Sequence, residues 1–192
     1  MNSKEGSMFK YLSTEEVEAG VENIKESPKN NGVLQLIVRR PETETREIIS
    51  TGKINFENGL EGDNWKPRGS RHTPDNSADP EAQITLMNSR VIDLLANDKE
   101  NWQLAGDQLF VNMDLSIENL PPLSQIQMGS AILEISAKPH TGCKKFSGRF
   151  GIEALVFIST PLGKSLRMRG VNAKVIQAGE IHVGDVIRRV SP

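Results

Sequence analysis

The chain has 192 residues, one cysteine and 36% apolar residues, with 23 Lys+Arg against 25 Asp+Glu for a formal net charge of −2. That length suits one domain with a real core, alone or with a short appendage. A single cysteine excludes an intramolecular disulfide and a Cys₄ or Cys₂His₂ zinc site, and the near-neutral charge argues against nucleic acid as the main partner. The longest unbroken apolar stretch, Ala154 to Ile158, is far short of a membrane span of roughly 18 residues. Lys4 and Glu5 are followed by no apolar core of a signal peptide. The expectation is a cytoplasmic protein with neither a nucleic acid nor a membrane as partner.

The first dozen residues read as frayed and polar. Ser13-Thr14-Glu15-Glu16 then forms a capping box, followed by Val17, Val21 and Ile24 at helical spacing. The helix stops at Ser27-Pro28, because proline disfavours the α region for the residue before it. Residues 1–31 therefore read as an N-terminal extension with one helix, and residues 32–192 as the main domain.

From Gly32 the period changes. Val33 to Val38 is β-branched and apolar, and Arg46 to Ile54 is a second strand candidate. Gly59 to Trp65 signals a turn. Lys66 to Pro80 has no apolar pattern and reads as one long surface loop, and loops of that length are usually functional or disordered. Gln83 to Leu86 reads as a strand, and Asn88 caps a helix carrying Val91, Leu94 and Leu95. Short strands follow at Leu109–Val111, Ile126–Met128, Ala131–Ser136, Val171–Gln177 and Val186–Val190, with a helix favoured for Phe150 to Ser159. Many short strands between Gly, Pro and Asp turns, with few helices, predict a β-rich barrel or sandwich. The three Gly-Asp pairs at 62–63, 106–107 and 184–185 read as turn chemistry.

The lone thiol lies in Lys138-Pro139-His140-Thr141-Gly142-Cys143-Lys144-Lys145-Phe146. Pro139 and Gly142 make a turn, and Gly142 lets another group approach the sulfur closely. Lys144, Lys145, His140 and Arg149 place positive charge nearby, which favours the thiolate, the form that is both nucleophile and metal ligand. The competing reading is a cysteine that serves as a small buried hydrophobe. No phosphate-cradling glycine motif stands out.

Pro139 to Phe146 resembles the cysteine segment of MOSC domains, the module at the C-terminus of molybdenum cofactor sulfurases and in free-standing proteins. Three further segments agree in order: Gly59-Leu60-Glu61-Gly62-Asp63, then Gly106-Asp107-Gln108-Leu109, then Met168 to Val175 with Gly179-Glu180-Ile181 and Gly184-Asp185. The match runs over roughly Gly32 to Val190. Asn64-Trp65 stands where many members have Arg-His, Asp107-Gln108 replaces Glu-Asn, and the Lys66 to Pro80 loop is longer than usual. The resemblance implies a β-barrel akin to the small barrel domain of pyruvate kinase. It also implies a role in binding the molybdenum cofactor or moving sulfur to it, with Cys143 as molybdenum ligand or persulfide carrier.

The small-molecule partner expected from that resemblance is a phosphate-bearing pterin cofactor or a substrate. Arginines suit its phosphate, and the candidates are Arg68, Arg71, Arg149, Arg167 and Arg169, with Arg149 and Arg169 favoured by their segments. Lys144 and His140 join them, and Asp63 and Asp107 are candidate partners of the pterin amino groups. Nothing in the chain resembles the lysine-bearing domain that holds pyridoxal phosphate in full sulfurases, so that cofactor is not expected here. Some free-standing relatives reduce N-hydroxylated compounds, which implies a redox or sulfur-donor protein partner. The alternative is a non-catalytic module that docks on a partner enzyme and holds a small anionic ligand.

Overall fold

Leu34 and Ile37 lie three residues apart on one strand, yet both point into the same core. The reason is a register irregularity between Leu34 and Leu36, where an extra residue resets the alternation. Leu36 and Val38 consequently face the opposite side. This strand, β1 (Gly32–Arg39), belongs to a computed structural model that describes residues 10–190. The polar first dozen residues fall mostly outside that range. Within it, Lys10 pairs with Glu16, and the Tyr11 hydroxyl donates to the Gly148 carbonyl at 3.0 Å.

The chain continues through β2 (Glu47–Ile49), β3 (Thr51–Asn55), β4 (Gly59–Leu60), β5 (Ile84–Asn88) and β6 (Leu109–Asn112). It then runs through β7 (Gln125–Met128), β8 (Ala131–Ile135), β9 (Val171–Gln177), β10 (Gly179–His182) and β11 (Val186–Val190). The main sheet has the order β11-β7-β8-β9-β5-β6-β1-β2, and β1 also pairs with β11. That pairing closes seven strands into a barrel, with β2 appended outside. Among the described residues of this sheet only β5 and β6 run parallel; the other pairings are antiparallel. A small second sheet, β10-β3-β4, lies beside it. The protein is thus β-rich with few helices, and its closed mixed barrel is of the MOSC type expected from the sequence.

Two cores follow from closure. Leu34, Ile37, Leu86, Leu109, Ile126, Leu133 and Ile187 fill the barrel. The outward residues of the same strands, Leu36, Val38, Met87 and Phe110, meet a layer of helices. That layer contains α1 (Thr14–Ala19), α2 (Val21–Lys25), α4 (Ser89–Ala96), α5 (Lys144–Phe150) and α6 (Ile152–Ile158). Two further short helices, α3 (Trp65–Arg68) and α7 (Pro161–Ser165), lie elsewhere along the chain. Strands buried on both faces lose strict alternation, and β5 is buried at every position.

Several sequence expectations are corrected in detail. The single N-terminal helix is two, broken at Gly20, where Leu94 packs against the backbone so closely that a Cβ would lie 2.4 Å from Cδ2. Its capping box is as read: the Ser13 hydroxyl accepts from the Glu16 amide, and the Glu16 carboxylate accepts from the Ser13 amide. The strand expected over Arg46 to Ile54 is split at Ser50 into members of different sheets. The Lys66 to Pro80 loop begins as the helical turn α3 and is pinned at its far end, where Trp65 Nε1 donates to the Asp79 carbonyl at 3.2 Å. The turn expected around Cys143 leads straight into α5, with Cys143 at its N-cap position.

Candidate functional site

The end of β1, the 64–72 segment, the Gly106 turn and the 138–149 segment converge on one cleft of about 400 Å³. Its cations are Arg40, Arg46, Arg68, Lys138, Lys145, Arg149 and Arg169, against the carboxylates Glu42, Glu44 and Asp79. Cys143 and His140 line it as well. The thiol is exposed, which overturns the buried-hydrophobe reading. Phe146 and Phe150, one turn apart, bury the inner face of α5 with ring centroids 4.9 Å apart. That face holds the helix against the barrel and leaves Cys143 at the cleft rim.

The cations fall into two groups. Five have carboxylate partners. Arg40 meets Asp63 in a two-pronged contact, Nε to Oδ2 at 2.8 Å and Nη2 to Oδ1 at 2.8 Å, and its Nη1 donates to the Gly106 carbonyl at 2.8 Å. Arg169 donates to Asp107 Oδ2 at 2.7 Å and to the Ala105 carbonyl at 3.2 Å, and its guanidinium stacks 5.1 Å from the Phe146 ring centroid. Arg149 pairs with Glu44 at 2.6 Å and donates to the Leu104 carbonyl at 2.7 Å. Lys145 also pairs with Glu44, and Lys138 with Asp79.

Arg46 and Arg68 form the second group. Among the described residues neither has a carboxylate partner, and Arg46 Nε is buried without any hydrogen bond. Burial, then the repulsion of neighbouring arginines, pulls both guanidiniums below the usual arginine range. They stay charged, because that range begins so high. Arg46 is half-buried and Arg68 exposed at the cleft, both facing like charges that an added anion would offset, and the planar guanidinium fork suits phosphate or carboxylate.

Beneath the cleft, Asp107 is fully buried, with Oδ1 3.3 Å from His140 Nδ1. Burial pushes the Asp107 carboxyl upward, against the pull of Arg169. Burial, reinforced by Arg169 and Arg40, holds His140 well below the usual histidine range. The depressed pKa favours the neutral imidazole, and His140 Nδ1 and Asp107 Oδ1, although 3.3 Å apart, are both buried without a hydrogen-bond partner among the described residues.

Sequence reasoning named some of these residues and missed others. Cys143, His140, Arg149, Arg169 and Arg68 all line the cleft. Lys144 does not; it is exposed on the outer side of α5. Asp63 and Asp107 do not line it either. Both Asp63 oxygens are taken by Arg40 and by the Arg40 and Trp65 amides. Each aspartate holds an arginine rather than facing a ligand. Arg71 lies outside the cleft, and Arg167 lines a different groove. Arg40 and Arg46 were missed. The available signal was Arg39-Arg40-Pro41, a basic pair where an apolar strand ends.

Among the described residues, no group of three or more His, Cys, Asp or Glu side chains converges as a metal site. No described helix is long and apolar enough to cross a membrane.

The barrel fold is shared with solved structures. The YuaD protein from Bacillus subtilis superposes with a TM-score of 0.63 at 13% identity, covering 84% of this chain and 96% of that one. YiiM from Escherichia coli gives 0.54 at 18% identity, covering 83% and 70%. YiiM from Geobacillus stearothermophilus gives 0.55 at 14% identity, covering 83% and 75%. At these identities the likeness is one of fold. No protein-family description and no curated protein matches the chain.

Proposed function

We propose that the cleft binds the molybdenum cofactor or transfers sulfur to it, with Cys143 as molybdenum ligand or persulfide carrier. The observation that supports this most directly is one exposed thiol in the same cleft as two guanidiniums, Arg46 and Arg68, that have no carboxylate partner among the described residues, Arg46 being held only by an Nη1 hydrogen bond to the Thr45 carbonyl at 2.8 Å. The residues fit such a group: the buried, unbonded Arg46 Nε and the surplus cations suit a pterin phosphate, and a thiolate is a soft ligand for a sulfur-rich metal centre. Arg46 and Arg68 would hold the phosphate, Arg149 and Arg169 would shape the wall, and Cys143 would supply the protein's sulfur. When bound, the cofactor supplies two-electron redox chemistry at molybdenum. His140, whose buried Nδ1 lacks a hydrogen-bond partner among the described residues, would hold a hydrogen bond at the cleft wall. The activity we assign to the loaded protein is reduction of an N-hydroxylated compound, with two electrons from a redox partner and two protons from solvent, releasing the amine and water.

A second reading draws on the same two guanidiniums: a binding module for a small anion in which the thiol plays no part. One experiment separates the two. The protein is purified from a molybdenum-replete host, and metal and oxidised pterin are quantified. The expected result is both, with molybdenum lost in Cys143→Ser and pterin lost in the Arg46→Met/Arg68→Met double variant. Metal and pterin at wild-type levels in Cys143→Ser would remove the thiol from the site. Neither co-purifying, together with saturable phosphate binding abolished by the double arginine change, would favour the anion-binding module.

A further inference from the structure

A second groove, of about 570 Å³, lies on the far side of the Lys138–Thr141 segment from the arginine cleft. Its walls are aliphatic: Ile117, Pro122, Ala137, Pro139, Ile158 and Val171. Lys138, Lys164, Arg167 and Arg169 also line it, and no carboxylate does. Lys138 and Arg169 are neutralised by Asp79 and Asp107, so the cations that matter are Lys164 and Arg167.

Arg167 is unusual in three respects. Its backbone is left-handed, with φ of 47°, a conformation that non-glycine residues hold only where their surroundings demand it. Its Nη1 donates to the carbonyls of Leu120 at 2.6 Å and Leu115 at 3.4 Å. That leaves its Nε and Nη2 without a partner among the described residues, although burial depresses its guanidinium. The Nε–Nη2 edge is the side-on fork that matches the two oxygens of a carboxylate. A pinned arginine loses little further entropy on binding, so the site is pre-organised.

We propose that this groove binds a small monocarboxylate with an aliphatic body, the carboxylate on Arg167 with Lys164 beside it and the hydrocarbon against Ile117, Pro122, Ile158 and Val171. The size falls in the range of small-molecule pockets, which are mostly apolar with a few convergent polar groups. The combination excludes a cationic ligand, because the lining has no acid to meet one. The site stands independently of the cofactor reading, since it uses neither Cys143 nor the unpaired arginines of the cleft.

The test uses the full chain and three probes of equal length: octanoate, octanol and octylamine, followed by calorimetry and by backbone amide NMR shifts. Octanoate should bind at one site at least tenfold more tightly than octanol, with shifts at Ile117, Val171 and the 163–170 segment, and octylamine should not saturate. Arg167→Met should weaken octanoate at least tenfold and leave octanol unchanged. Because Arg167 also braces two carbonyls, Ile117→Glu at the exposed rim provides a second arm. It should abolish octanoate binding and create octylamine binding, a reversal that loss of structure would not produce. Equal affinity for octanoate and octanol, octanoate shifts confined to Arg46 and Arg68, or an Ile117→Glu variant that binds octanoate normally would each overturn the proposal.

Discussion

At the scale of single residues, the site is built from charges that are mostly already spoken for. Asp63 and Asp107 each take an arginine out of circulation, and Glu44 takes a third and a lysine. Buried ion pairs of this kind add little net stability, but removing one partner strands the other. Their effect here is geometric: Arg40 and Arg169 are bolted to the Gly106 turn, so the cleft wall cannot collapse onto the unpaired Arg46 and Arg68. His140 provides a test of this buried layer. Its folded pKa lies below the ordinary value of 6.5, so the unfolded chain binds the proton more readily. Stability is then lost as pH falls through about 6.5. Asp107, raised in the fold, acts in the opposite sense on acidification. Comparison with His140→Gln isolates the histidine: between pH 8 and 5.5 the wild-type melting temperature should fall more than that of the variant. Parallel profiles would show that the ring is not held neutral.

At the scale of elements, α5 is what turns a sequence motif into a site. Pro139-His140-Thr141-Gly142-Cys143 was legible as a basic turn, and the thiol was legible as unpaired. What was not legible is that Lys144 and Lys145 begin a helix, which sends Lys144 outward and only Lys145 to the cleft. Two phenylalanines four residues apart on a seven-residue helix are a weak periodic signal, because so short a helix rarely forms without tertiary contacts. Gly142 lies under Leu155 of α6, where a Cβ would come 2.3 Å from Cδ1, so α6 also shapes the approach to the sulfur. Phe146→Ala should therefore cost about 3–5 kcal/mol of stability. In urea it should also speed backbone hydrogen exchange in α5 before global unfolding, since α5 would open locally. Exchange in α5 that tracks only the global transition would mean that α5 does not depend on this contact.

At the scale of the whole molecule, closure of the barrel decides where every segment ends up. The seam is the pairing of β1 with β11, Gly32 opposite Ile187 and Val33 opposite Val186. Gly32 is needed there for space: a Cβ would lie 2.7 Å from the Asn112 carbonyl oxygen and 2.7 Å from Met113 Cβ. A backbone carbonyl in a closed sheet has nowhere to move, so Gly32→Val should cost roughly 2 kcal/mol or more. The loss should be visible by urea unfolding, with earlier hydrogen exchange along β11 than along β8. A variant of wild-type stability would show that the seam is slack.

Local chemistry by itself determined much of this protein. The capping box at Ser13, the cap at Asn88 and the strands at Val33, Ile84, Ala131 and Val171 follow from side-chain period and short-range hydrogen bonding, and all are present. The unpaired thiol and its glycine neighbour follow from composition and adjacency. Tertiary structure alone decided which charges remain free. Arg40 and Arg46 are separated from Arg68 and Cys143 by tens of residues, and only barrel closure brings them to one cleft. Whether an arginine serves a ligand or a neighbouring aspartate depends on distances of a few ångströms between distant segments, and no local pattern encodes those.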